Sequence, residues 1–217
     1  MFAETELELL NKDPDSFHFL LSTDEANFYI NGLVNRHNCR YWSDTRPTWY
    51  QEKPLHSPKV VVLGGVWKGG IVGPFFFDEN VNGDNYLAML QEFLVPFLRQ
   101  KRIVSKIRFQ QDGAPPHWSR KVRQFLDRAF PHGWIGRGSN AVSWPARSPD
   151  LSPCDFFLWG VIKEKVYKAN PRTIEDLKEE IRVAFSQIDS RTTHLVLENY
   201  IKRLEKCVAV EGVHIEL

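Results

Sequence analysis

Two β-branched and aromatic runs, "KVVVLGGVW" (59–67) and "GIVGPFFFD" (70–78), are separated by nothing longer than Lys68-Gly69-Gly70. That is a hairpin signature, two strands reversing through a glycine turn. A lone hairpin is at best marginally stable in water, so the rest of the chain is read for what extends and covers it. Residues 1–14 predict a short helix, with "NKDPDS" as a turn after it. "FHFLLST" (17–23) predicts a strand that closes at Asp24, with "ANFYING" continuing it after a bulge. Leu87, Leu90, Phe93, Leu94 and Phe97 recur at helical spacing within 82–100, and Pro96 is placed to kink the end of that helix. "KIRFQQ" (106–111) reads as a strand with Ile107 and Phe109 on one face. "HWSRKVRQFLDRAF" (117–130) reads as an amphipathic helix with Val122, Phe125, Leu126 and Ala129 inward. A short strand and a proline-rich loop follow in "GWIGRGSNAVSWPARSPDLSP" (133–153), then helices at about 154–168, 173–188 and 191–207.

Three antiparallel strands followed by alternating strand and helix specify an α/β fold. The expectation is a mixed five-stranded sheet with helices on both faces and a C-terminal helical extension. Residues 1–14 read as an N-terminal helix and linker, 15–170 as the body, and 171–217 as a helical extension of the same domain. Within the body, "RHNCRYWSDTRPTWYQEKPLHSP" (36–58) is polar, rich in Arg, His, Trp and Tyr, and without a period. Excursions of that length in a compact domain are commonly functional.

Composition narrows the function classes. The net charge of +1 excludes a chain that coats DNA by bulk charge alone, though not a local basic groove. The three cysteines, Cys39, Cys154 and Cys207, lack metal-ligand spacing and read as reduced thiols. No signal-type segment and no run of 18 apolar residues is present, so neither secretion nor membrane insertion is expected. Fifteen Phe and seven Trp predict an aromatic-rich core.

Three acidic residues stand at element ends. Asp24 follows the first predicted strand. Asp112 follows the fourth and runs straight into Gly-Ala-Pro-Pro. Asp155 opens a helix in "SPDLSPCDFFLWG". If the first and fourth strands are neighbours, Asp24 and Asp112 lie side by side and a helix N-terminus can add the third. Three such carboxylates repel unless a cation neutralises them, and hard oxygen donors suit Mg²⁺ or Mn²⁺. Two such ions perform phosphoryl chemistry by activating a water and stabilising the leaving oxygen. Taken singly, each acid reads more simply as a turn or cap residue. Ser152-Pro153-Cys154-Asp155 has the form of a capping box with Pro at the first helical position, and Asp150 suits a cap or a loop ion pair. On spacing alone both readings stand.

"STDEANFYING", "QQDGAPPHWSRKVRQFL" and "WPARSPDLSPCDFFLWGVIKEKVY" together resemble the catalytic domain of mariner-like transposases of the DDE/D group, over about residues 15–215. The pairing of "DGAPPH" with "SPDLSPCDFFLWG" is specific to that family. The resemblance implies an RNase H-like fold in which Asp24, Asp112 and Asp155 bind two Mg²⁺ or Mn²⁺ ions. It implies cleavage of DNA phosphodiesters and transfer of the freed 3′ end, with no covalent enzyme intermediate. The third acid stands five residues after the Asp of Ser-Pro-Asp-Leu, which selects Asp155 over Asp150. Forty-two residues separate Asp112 from Asp155, more than in typical mariners, which marks a divergent branch.

The same resemblance places His117 near the metal site and, with Arg120, Lys121 and Arg123, among candidate DNA contacts. Capping or packing is the preferred alternative for His117, and a solvated helix face is the more common explanation for the basic run. Arg99, Lys101, Arg102 and Lys106 form a further basic patch. The 36–58 excursion, with Arg40, Trp42, Arg46 and Trp49, resembles a clamp loop that reaches a partner subunit; a surface lid is the alternative. The implied partners are transposon ends, target DNA and a second copy of the chain, with no membrane, and the implied location is the nucleus. Family members carry two helix-turn-helix units ahead of the catalytic domain. This sequence starts just ahead of the first strand, so the expectation is a catalytic domain without its own end-reading unit. The alternative is a non-catalytic remnant that binds DNA or protein.

Overall fold

The hairpin forms as expected. In a computed structural model that describes residues 2–30, 32, 57–130 and 133–215, β2 (Lys59–Trp67) and β3 (Gly70–Phe77) pair antiparallel. They reverse through Lys68 and Gly69, and Gly70 takes a φ of 134°, in the range that disfavours a side chain. β1 (Leu20–Tyr29) pairs antiparallel with β2 from Ser22 to Tyr29. On its other side β1 meets β4 (Arg108–Gln110) in parallel, and β4 meets β5 (Trp134–Ile135) in parallel. The sheet order is β3-β2-β1-β4-β5, the expected mixed five-stranded sheet.

The strands alternate apolar side chains to both faces, as buried strands between helical layers must. On one face Leu21, Val61, Leu63, Val72 and Phe109 pack with α2 (Gly83–Met89), α3 (Val95–Gln100) and α4 (Arg120–Ala129). On the other, Ala26, Phe28, Val60, Val62 and Val66 pack with α5 (Trp159–Lys168) and α6 (Ile174–Ser186). α1 (Phe2–Lys12) and α7 (Ser190–Ala209) close a third cluster around Leu20, Ile135, Trp144 and Tyr200. Glu6 of α1 pairs with Arg108 of β4 at 2.6 Å, both largely buried. Among the described residues no helix is long and apolar enough to cross a membrane. Cys154 and Cys207 are free and buried; Cys39 lies outside the described residues.

Four local expectations need correction. Asp24 does not close its strand: β1 runs unbroken through ten residues without a bulge, because β2 keeps pairing with it to Tyr29. The helix predicted over 82–100 is α2 and α3 joined by a π turn, Leu90–Leu94, where the Val95 amide donates to the Leu90 carbonyl. The wider turn sits just ahead of Pro96, whose ring would clash with a regular preceding turn. α4 begins at Arg120, and residues 115–119 are turns, so His117 lies before the helix. The strand predicted over 106–111 is paired as β4 only at Arg108–Gln110.

Gly64 of β2 lies directly across from Asp24. A Cβ there would come within 2.9 Å of Leu158 and Trp159 and 3.0 Å of Phe185. The missing side chain lets α5 seat Trp159 against the sheet, where it is 6% exposed. Gly64→Ala is therefore expected to destabilise the chain by about 1–3 kcal/mol, as overpacking does, and to perturb Trp159 emission. Denaturant melts of parent and variant check it; equal stability would show that α5 has slack.

Candidate active site

β1 and β4 share only three rungs, ending at Ser22 opposite Gln110. Thr23 Oγ1 donates to the Gln110 carbonyl at 3.1 Å, and beyond that point the pairing ends. Two residues further on in the same register stand Asp24 and Asp112. Asp155 comes from the π turn Cys154–Leu158 that begins α5. All three acids line one cleft of about 270 Å³, together with Gln110, Arg147 and Ser152.

The three acids sit in different environments. Trp159 Nε1 donates to Asp24 Oδ2 at 2.7 Å. Burial, then the charges of Asp155 and Glu25 and, more weakly, Asp112, hold the Asp24 carboxyl well above the ordinary range; the Trp159 bond opposes them. Asp155 is raised too, by burial first and by Asp112 and Asp150, against the Ser152 hydroxyl and Lys163. The capping-box reading of Asp155 fails in its second half. Ser152 Oγ does accept from the Asp155 amide at 3.3 Å. The Ser152 amide, however, donates to the Pro149 carbonyl, so the Asp155 carboxylate is not spent on it. Lys163 is depressed by its own burial, with Asp24 and Asp155 pulling the other way.

Asp112 is the most accessible of the three, its side chain 47% exposed. Its Oδ1 accepts from the Ala114 amide at 2.9 Å and lies 2.5 Å from His117 Nδ1. Burial alone would raise the Asp112 carboxyl, but the His117 contact outweighs it and the result is a lowered one. His117 is 2% exposed, and its Nε2 is 3.1 Å from Glu25 Oε2. Burial alone would depress the imidazole, yet Glu25 and Asp112 raise it to about 10.

The donor set fits divalent cations. Hard carboxylate oxygens face one cleft, and Asp24 and Asp155 are pushed toward protonation by burial and by neighbouring carboxylates, a cost that a cation removes. Within the described residues, one oxygen each of Asp24 and Asp112 is tied by protein donors and the other is not. Among the described residues no group of three or more His, Cys, Asp or Glu side chains stands close enough together to hold a metal ion as it is.

The other predicted residues divide. His117, assigned to DNA contact, is instead enclosed between two carboxylates, out of reach of a polymer. Lys121 is paired with Asp84. Arg123 Nε donates to the Trp118 carbonyl at 3.2 Å, and its guanidinium lies 5.4 Å from the Trp118 ring. Arg120 is exposed on α4. Arg40, Trp42, Arg46 and Trp49 lie outside the described residues. Asp150 makes the expected loop ion pair, with His214 Nδ1 at 2.5 Å, and its Oδ2 also accepts from the Ile215 amide. Arg203 donates to the Asp150 carbonyl, so residues 203–215 clasp the loop that leads to Asp155. Sequence reasoning missed Glu25, Trp159 and Lys163. Asp155, Trp159 and Lys163 recur every four residues, a one-face helical signal that would have found the last two. Glu25 follows Asp24 on a strand and so points to the opposite face.

Residues 20–178 match the DDE superfamily endonuclease family, and the chain belongs to it. Among curated relatives, the transposable element Tc3 transposase of Caenorhabditis elegans is 28% identical over 88% of this chain and 55% of its own length. The Tcb2 transposase of Caenorhabditis briggsae is 21% identical over 88% of this chain and 67% of its own. The chain thus spans about half to two thirds of these relatives. The fold is that of the catalytic domain of Mos1 mariner transposase, with TM-score 0.73 at 22% identity over 99% of this chain and 92% of that one. A Mos1 paired-end complex with the left transposon end gives 0.76 at 23% identity, covering 99% and 61%.

A folded-state carboxyl raised above its unfolded value contributes stability at low pH and loses it as pH rises past that unfolded value. In metal-free buffer the chain is therefore expected to lose melting temperature above about pH 4 through Asp24, whose ordinary value is 3.8. Asp24→Asn is expected to flatten that loss and to melt higher than the parent at pH 7. Melting curves across pH in chelator check this; parallel profiles would show that Asp24 is not confined as described.

Proposed function

We propose that the chain is the catalytic domain of a DDE transposase, cleaving DNA at transposon ends and transferring the freed 3′ end to target DNA. One observation carries the reading: Asp24, Asp112 and Asp155, from β1, the end of β4 and the start of α5, line a single cleft. Membership of the endonuclease family and likeness to Tc3 and Mos1 transposases support it.

Asp24, Asp112 and Asp155 would hold two Mg²⁺ or Mn²⁺ ions; structures of Mos1 transposase are described with each metal. Such ions supply a nucleophile at neutral pH and charge neutralisation at the leaving oxygen. The chain's own part is to orient. Trp159 fixes Asp24, and Ala114 and His117 fix Asp112. Lys163 and the Ser152 hydroxyl temper the charge of Asp155. In the first reaction a water oxygen bonds to phosphorus and the P–O3′ bond breaks. In the second, the released 3′-hydroxyl oxygen bonds to a target phosphorus as the target P–O3′ bond breaks, and the leaving target 3′-oxygen takes up a proton. Arg120 and Arg123 on α4 are assigned to backbone phosphates, which makes binding weaken with salt. The 36–58 segment, with Arg40, Trp42, Arg46 and Trp49, is assigned to a clamp across a homodimer, and the site of action to the nucleus.

Nicking of supercoiled plasmid tests the reading. The parent is expected to nick only with Mn²⁺ or Mg²⁺. Asp112→Asn and Asp155→Asn are expected to lose more than the about 10- to 100-fold that outer-shell substitutions cost a metal site. Nicking by Asp112→Asn at the parent's rate would return Asp112 to a turn residue. A parent that binds DNA without nicking it would define a non-catalytic binding module.

A further inference from the structure

Strand alternation sends Asp24 and Glu25 to opposite faces of β1, and the packing agrees. Asp24 meets Trp159 of α5, whereas Glu25 meets His117 on the side of α2 and α4. His117 then reaches Asp112. The ring bridges, from behind the sheet, the two strands whose hydrogen bonding ended at Ser22 and Gln110. It is held on every side. Tyr86 stacks on it with centroids 4.2 Å apart. The Tyr86 hydroxyl donates to Gln111 Oε1 at 2.9 Å, and Gln111 Nε2 donates to the His117 carbonyl at 3.2 Å. Tyr86 is fully buried and Gln111 nearly so.

We propose that His117 is a positioning residue, a buried brace that takes Asp112 Oδ1 on one nitrogen and Glu25 on the other and so turns Asp112 Oδ2 toward the cleft. This rests on the metal-dependent reading above. Asp112 needs such a brace because its side chain is about half exposed, it stands past the last rung of β4, and Gly113 follows it. Without the ring only the Ala114 amide would hold this carboxylate, and the remaining ordering would fall on the metal-binding step. A histidine with no positioning role would be a poor filler, since burying it between two carboxylates costs desolvation that an apolar side chain avoids. By hydrogen-bond geometry both His117 ring nitrogens are buried without a partner, so their approaches of 2.5 and 3.1 Å are charge contacts, and Glu25 keeps its Oε1 buried unpartnered as well among the described residues. Its retained contact is the one to the ring. The two nitrogens have separate duties, which makes the brace testable. An asparagine amide nitrogen occupies the place of Nδ1 and keeps the Asp112 contact. A glutamine amide nitrogen occupies the place of Nε2 and keeps only the Glu25 contact.

Calorimetric titration of Mn²⁺ at constant pH into the parent, His117→Asn, His117→Gln and Glu25→Gln tests it, with melting curves in chelator as the control for folding. His117→Gln is expected to weaken Mn²⁺ binding by about 10- to 100-fold, as loss of an outer-shell partner does, and His117→Asn by less than about threefold. Glu25→Gln is expected to fall between them. A structural role alone would lower melting temperature in both His117 variants and leave their Mn²⁺ affinities equal, and that result overturns the brace. If neither His117 variant folds, Glu25→Gln decides: weakened Mn²⁺ binding by a cooperatively melting protein supports the brace, unchanged binding overturns it. A parent that takes up no Mn²⁺ overturns the metal-dependent reading and the brace with it, whereas a parent that binds with equal variants overturns the brace alone.

Discussion

β1 pairs with β2 to its end but with β4 for only three rungs, and the site follows from that asymmetry. Parallel strands that stop pairing leave a notch between them. Backbone at the notch turns outward, and side chains at the next register positions face a gap in place of a neighbour. Here those positions are Asp24 and Asp112. α5, seated against Gly64, brings Asp155 and Trp159 to the same notch. Open α/β sheets place ligands at carboxyl ends of strands, and in this sheet the cleft lined by Asp24, Asp112 and Asp155 lies past the early end of β4.

The same notch concentrates negative charge. Asp24, Glu25, Asp112 and Asp155 stand at one end of the sheet, and confinement pushes Asp24 and Asp155 toward their neutral forms. The chain answers unevenly. Asp112, beside His117 and the Ala114 amide, is kept as a carboxylate, while Asp24 and Asp155 carry the strain. Apolar clusters on both faces of the sheet supply the stability that such a site consumes. Local rules are broken where the acids gather and kept elsewhere.

Most of the fold was legible in the sequence because its signals are periodic or local. The hairpin announced itself by a glycine turn and α4 by the spacing of Val122, Phe125, Leu126 and Ala129, and α6, expected over 173–188, forms behind a capping box at Thr173 and Asp176. What was not legible is non-local. The π turn ahead of Pro96 and the unbroken run of β1 past Asp24 depend on neighbours in space. The three acids stood out at element ends, and motif resemblance tied them together where spacing could not. Glu25 and His117 lie 92 positions apart. Nothing in the sequence couples them until β1 and β4 are adjacent, so the histidine read as a helix start or a DNA contact.

Asp150 sits five residues before Asp155, and its clasp is made by Arg203, His214 and Ile215. The loop that delivers the third acid is thus fastened by residues translated some fifty to sixty positions later. A nascent chain emerging from the ribosome has its sheet, Asp24 and Asp112 before it has that fastener. A chain broken off ahead of Arg203 would lose all three fastening residues at once, together with α7 side chains that close the third apolar cluster.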